Sequence, residues 1–158
     1  MKFTLLKLLL LTAAIAVAVW FVNGLYVELT HIDHGEGVAS VPWLPESASN
    51  ISFYRSYMYT AYEFDISEQD FSKWTWLDVA EISTPVTITR YKTFTTKIPE
   101  LSANPTASEL LAHQTAYDEQ SATISDGLYY ESRRNNGGGV MVCYDRKIGR
   151  AFLQTNPR

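Results

Sequence analysis

The opening stretch, MKFTLLKLLLLTAAIAVAVWFVNGLYV, constrains this chain more than any other part of it. Lys2 and Lys7 make a basic start, and Leu8 through Val22 carries no charge. Thr4 to Val22 forms a helix about 28 Å long at 1.5 Å per residue, close to a hydrocarbon core of about 30 Å. Lys7 sits near one end, where its stem lies along lipid and its ammonium reaches the headgroups. Trp20 and Phe21 sit near the other, where an indole ring prefers the interface. The segment therefore reads as an anchor over residues 1–23, bounded by Lys7 and Leu8 on one side and Trp20 and Phe21 on the other, with the lipid bilayer as a partner. Basic residues before the span keep the N-terminus in the cytoplasm. The remainder is then expected across the cytoplasmic (inner) membrane, on the periplasmic side of a single pass.

The rival reading is a cleaved leader with Ala16-Val17-Ala18 as its small-residue site. It leaves a soluble periplasmic protein. Against it, the apolar run continues through Val19, Trp20, Phe21 and Val22, where a cleavage region is normally more polar. No cysteine follows the segment closely, which excludes lipid modification there.

Beyond the anchor roughly 135 residues remain, enough for one core. Hydrophobic residues make up 46% and charged residues 19%, so the chain folds rather than stays disordered. With one cysteine, Cys143, no intramolecular disulfide is possible and packing must supply the stability. All 17 acidic residues lie beyond Gly24, against 11 of the 13 basic ones, so this part carries −6. That balance argues against nucleic acid as a partner. Six basic groups between Arg133 and Arg158 face only Asp145. They either pair with acidic strands or form a surface for an anionic partner through Arg133, Arg134, Arg146 and Arg150.

Residues 24–49, with Gly35, Gly37, Pro42 and Pro45, read as a stalk or irregular arm whose Trp43 and Leu44 dock onto the domain. Residues 50–158 read as one domain. ISFYRSY (51–57) and MYTAYEFDI (58–66) are strands. The second alternates, with Met58, Thr60, Tyr62, Phe64 and Ile66 on one face and Tyr59, Ala61, Glu63 and Asp65 on the other, so it is expected to be half buried. Ser67 caps a short helix through Phe71 and Trp74, with Asp70 in a capping-box position. PVTITRYKTF (85–94) is a further strand, and Thr106 or Ser108 caps a helix through His113. GLYYESR, VMVCYD and RAFLQT form a meander joined by RNNGGG and RKIG, whose glycines supply the positive φ that hairpin loops need. The expected class is α+β: the N-terminal helix plus an antiparallel sheet of five or six strands with one or two short helices.

LPESASNISFYRS, YEFDISEQDFSKW and SDGLYYESR…YDRKIGRAFLQ carry a resemblance. A Leu-Pro-x-x-Ala opening, a strand running into Ile-Ser-Glu-x-Asp-Phe, and a Tyr-Asp-Arg-x-x-Gly-Arg-Ala hairpin resemble small exported or membrane-anchored proteins of bacteria such as planctomycetes. The resemblance covers about Leu44 to Arg158. It implies compartment and fold and transfers no catalytic residue.

Several clusters invite chemistry. His31, Asp33, His34 and Glu36 concentrate metal-ligand types, but the spacing fits no specific site and a hydrated linker accounts for it better. Glu63, Asp65, Glu68 and Asp70 offer paired carboxylates, yet a solvated strand face followed by an acidic first helical turn explains all four. Arg133 to Gly139 lacks the Lys-Ser/Thr of a phosphate loop and leads into a strand. Cys143, in mid-strand, reads as a buried, inert thiol. No cofactor is expected. The first functional expectation is a non-catalytic interaction module, an accessory subunit working with other membrane or envelope proteins. The second is a small extracytoplasmic enzyme using His31, His34 or His113 with carboxylates.

Overall fold

The computed structural model describes residues 5–156, leaving aside the side chains of residues 5–9, 28 and 29. Lys2, and the side chains of Lys7 and Leu8 that mark one end of the expected anchor, lie outside the described residues. The first element, α1, spans Leu5–Thr30, about 39 Å at 1.5 Å per residue. Within it Leu10–Val27 is long and apolar enough to cross a membrane, and none of that stretch is buried against protein. A helix apolar all round and uncovered by its own chain is suited to a membrane anchor or a signal sequence. Trp20 and Phe21 are both exposed within this stretch.

The structure departs from the expected arm between 24 and 49. The helix continues to Thr30, whose Oγ1 donates to the Tyr26 carbonyl at 2.7 Å. Only His31 separates it from β1 (Ile32–Val38), which pairs antiparallel with β2 (Ser49–Ser56). The glycines that look like linker residues have strand roles. Gly35 lies so close to the Phe53 ring that a Cβ there would come within 2.8 Å of Phe53 Cε1. Gly37, at φ 63°, sits in the irregularity between Gly35 and Val38 that lets β1 follow its partner. Trp43 and Leu44 do dock. Leu44 is buried, and the Trp43 ring meets Tyr62 edge-on at 4.5 Å.

The remaining elements are β3 (Thr60–Asp65), α2 (Glu68–Trp74), β4 (Ala80–Glu81), β5 (Val86–Thr89), α3 (Lys92–Thr95), α4 (Ala107–Asp118), β6 (Ser121–Ile124), β7 (Gly127–Arg133), β8 (Gly139–Asp145) and β9 (Arg150–Asn156). The α+β class and the antiparallel meander hold. The main sheet has seven strands rather than five or six, in the order β1-β2-β3-β9-β8-β7-β4. The arm supplies one of the extra strands. β5 and β6 form a separate two-stranded ladder, and three short helices replace one or two. Ser67 accepts from the Asp70 N–H, and Thr106 and Glu109 form a full capping box at α4.

One face of the sheet, with Tyr62, Phe64, Val142, Tyr144 and Leu153, packs under α2 and the Trp43–Leu44 arm. The opposite face, with Cys143 and Phe152, packs under Ile88 and Ile124 of the β5–β6 ladder. β3 therefore lies between two layers. Ala61, Tyr62, Glu63 and Phe64 are all buried, where alternation predicts one wet face. The covering layer comes from residues 85–94, which do not continue as one strand. The chain turns after Thr89 and enters α3.

Gly35→Val should detach the edge strand without unfolding the sheet. Amide exchange should accelerate on β1 and stay unchanged on β8 and β9, because the nearest atoms an added Cβ meets belong to Phe53 and Val38.

Candidate functional site

Glu63 is the most buried charge among the described residues, at 1% exposure. Its Oε1 accepts from the Tyr91 backbone N–H at 2.8 Å, and its Oε2 accepts from Arg90 Nη2 at 2.7 Å and Nε at 3.1 Å. Arg150 approaches from β9 with Nε 3.6 Å from Oε2, and its Nη1 donates to Asp65 at 2.5 Å. Burial works against the Arg90 charge, but its bonds to Glu63 outweigh that and hold the guanidinium above its ordinary range. This closes the acidic run differently from the solvated strand face that alternation predicts. Glu63 is an internal clamp that ties the 85–94 layer to the sheet. Asp65 bonds Arg150 and Asn50. Glu68 and Asp70 do form an acidic first turn of α2.

A second cluster surrounds Arg146 in the β8–β9 turn. It donates from Nε and Nη2 to both oxygens of Glu68 at 2.8 and 2.7 Å, from Nη1 to Asp126 at 2.6 Å, and from Nη2 to Glu81 at 3.0 Å. These bonds raise the Arg146 pKa, and the bond from Arg146 lowers that of Glu68. Arg146 and Arg150 are thus neutralised within the fold. Arg133 and Arg134 sit at the opposite end of β8, about 20 Å away at 3.4 Å per residue. The four arginines do not form one anion surface, because the strand between them separates the pairs.

A cleft of about 330 Å³ opens between β5 and the β7–β8 hairpin, with Tyr59, Tyr129, Glu131, Arg133, Met141 and Gln154 in its lining. Tyr129 Oη donates to Glu131 Oε2 at 2.9 Å, and Arg133 Nε donates to Glu131 Oε1 at 2.5 Å. Burial, then the bond to Glu131, pushes the Tyr129 phenol up to about 12. Burial would raise Glu131, but its bonds to Arg133 and Tyr129 more than offset that and lower its pKa. A phenol that stays protonated beside a carboxylate that stays ionised is a fixed donor–acceptor pair, not an acid–base couple poised near neutrality. Nor does the adjoining glycine loop form an anion cradle. The Arg134 N–H donates to Gly138 O at 2.7 Å, the Gly137 N–H to Arg134 O at 3.0 Å, and the Gly138 N–H to Asn136 Oδ1 at 3.1 Å, so the loop's amides bond one another's neighbours. Cys143 is fully buried, and burial pushes its thiol up to about 12.

The histidines are not brought to a site. His31 is exposed at the helix–strand joint, His34 is exposed on β1 opposite Tyr54, and His113 is half-buried on α4. Among the described residues no histidine forms an ion pair with a carboxylate. Asp33 is held by Arg55 at 2.7 Å and Glu36 by Lys92 at 3.1 Å. No group of three potential metal ligands occurs among the described residues.

The residues missed by sequence reasoning are Glu63, Arg90 and Tyr91 as a unit. The one available signal was a carboxylate inside the aromatic run Tyr62-Glu63-Phe64. Comparison with protein-family models, with curated proteins and with solved structures finds no match to this chain.

Two outcomes follow. Glu63→Gln leaves Arg90 and Arg150 without their shared counter-charge and should cost about 3 kcal/mol in chemical denaturation. The Cys143 thiol ionises at its ordinary 9.0 once unfolded but near 12 when folded, so its stabilisation is full below pH 9 and lost as pH rises through that window. Denaturation midpoints measured across the window should fall less steeply in Cys143→Ala.

Proposed function

We propose that this chain is a membrane-anchored interaction module, held by α1 and serving as an accessory subunit beside other membrane or envelope proteins. The observation that carries the reading is α4. This twelve-residue helix buries none of its residues, and it leaves Leu110, Leu111 and Tyr117 exposed. A short helix normally draws its stability from an apolar face packed on its own domain. Here the ends are secured instead. The capping box holds the start, while Gln120 Nε2 donates to Thr96 O and Thr93 Oγ1 donates to Gln120 O at the finish. A helix fixed at both ends that leaves Leu110, Leu111 and Tyr117 to solvent suits docking of another protein.

The anchor supports the same reading. α1 passes into the sheet through His31 alone, so the domain is held against the membrane rather than on a tether. Lys2 and Lys7 favour a cytoplasmic N-terminus and an extracytoplasmic domain, in keeping with the exported proteins that the sequence resembles.

Purification of the full chain from native membranes in mild detergent should bring a partner with it. Leu111→Glu should lose that partner while leaving the protein in the membrane fraction. Equal recovery of the same partner with the variant would remove the support that α4 gives. Intact-mass measurement tests the anchor, since loss of the residues up to Ala18 would make α1 a leader.

A further inference from the structure

A cavity of about 550 Å³ lies between α1 and the turn joining β2 to β3. Gly24, Val27 and His31 form one wall, and Arg55, Ser56 and Tyr57 form the other. Gly24 and Val27, three residues apart, share one face of α1, and His31 follows at the helix–strand joint. Gly24 adds no side chain, and no atom lies within 4 Å of where its Cβ would be. The opposite wall is polar and aromatic, and Tyr57 is 56% exposed.

The position of this cavity along α1 is informative. The apolar run ends at Val22, before the polar Asn23, and no charge follows until Glu28. Five residues further, at about 7.5 Å, lies Val27, which also ends the stretch able to cross a membrane. A headgroup layer adds about 5–7 Å outside the hydrocarbon on each side. Gly24 and Val27 therefore fall at the outer edge of the hydrocarbon, where the headgroup layer begins. The β2–β3 turn reaches down the helix to the same level. Its neighbours at that end of the sheet add Arg134, exposed in the β7–β8 hairpin, and Trp76, 83% exposed beside it. Arg55 uses Nη2 on Asp33. A guanidinium carries five N–H donors in a fixed fork, so further donors remain for an oxyanion. Its side chain is 52% exposed.

We propose that this cavity is a phospholipid headgroup site. Arg55 donates to the lipid phosphodiester, the Tyr57 ring lies at the glycerol level, and Gly24 and Val27 receive the upper acyl chain. The site rests on reading α1 as a retained anchor. It makes the β2–β3 turn a second membrane contact, which sets the orientation of the domain on the bilayer. Arginine suits a phosphodiester through its planar fork, and an aromatic ring with a polar tip suits the interface.

The test uses the full chain in vesicles of phosphatidylcholine and phosphatidylglycerol. Cys143 is buried and does not take a label, so single cysteines can be placed by Val19→Cys, Tyr57→Cys and Ile148→Cys and spin-labelled for depth. The expected result is hydrocarbon depth at position 19, headgroup depth at 57 and bulk water at 148. In native mass spectrometry from mild detergent, the full chain should retain phosphatidylglycerol. Arg55→Gln should lose most of it with unchanged thermal unfolding, and Arg55→Lys should retain an intermediate amount. Water at position 19 would overturn the anchor and this site together. Lipid at 19 with water at 57 would overturn the site alone. Equal lipid retention by Arg55→Gln would overturn recognition of the phosphodiester by Arg55. Displacement of the lipid by inorganic phosphate would assign the cavity to a free anion and overturn the lipid assignment.

Discussion

The buried carboxylate of Glu63 is the constraint around which the domain is organised. A charge on the central part of a sheet, covered on both sides, is costly unless every lone pair finds a donor. Glu63 meets that demand with a guanidinium, a backbone N–H and a second arginine nearby. The donors come from distant parts of the chain. Arg90 and Tyr91 belong to the layer that covers the sheet, and Arg150 belongs to the strand beside β3. Satisfying one carboxylate therefore fixes where that layer lands. The turn after Thr89, which ends a strand that β-propensity alone would continue, places the Arg90 side chain and the Tyr91 amide against the same two oxygens.

Arg146 repeats this logic at the sheet's far end, with one guanidinium and three carboxylates. It joins the start of α2, the short strand β4 and the loop before β7 to the β8–β9 turn. These carboxylates are more exposed than Glu63, so the cluster contributes position more than stability. The two networks absorb two of the arginines that the sequence presents as a basic tail. Arg133 and Arg134 take no part in them and lie at the end of the sheet nearer α1, beside the β2–β3 turn. Charge is thereby sorted along the strands. The carboxylate-rich end points away from α1, and the exposed arginines and aromatic rings lie nearer to it.

How far the fold was legible follows from how local each determinant is. Ser67 and Thr106 announce their helices because a cap needs only the next three residues. The meander from Gly127 to Asn156 is legible because hairpins join neighbours in sequence, and its glycines occupy the turns. β1 was not legible. An edge strand pairs on one side only, and Gly35 and Gly37 break its alternation for reasons that lie in Phe53 and in the register with β2. The burial of Cys143 was legible, because its setting in VMVCY is apolar on both sides. The cavity beneath Arg55 had no signal at all. Its walls lie more than twenty residues apart, and neither wall holds a recognisable motif.

The sequence by itself determined the apolar helix, the α+β class and the antiparallel C-terminal meander. Each depends on composition or periodicity within a window of a few to about twenty residues, which the chain carries wherever it goes. Tertiary structure decided which charges are internal, which arginines stay available, and that the helix runs into the sheet without a stalk. Those outcomes depend on which layer covers which face. The same glutamate in the same alternating strand would have been a surface residue had residues 85–94 packed elsewhere. Burial belongs to the assembled layers, and no single segment of the chain encodes it.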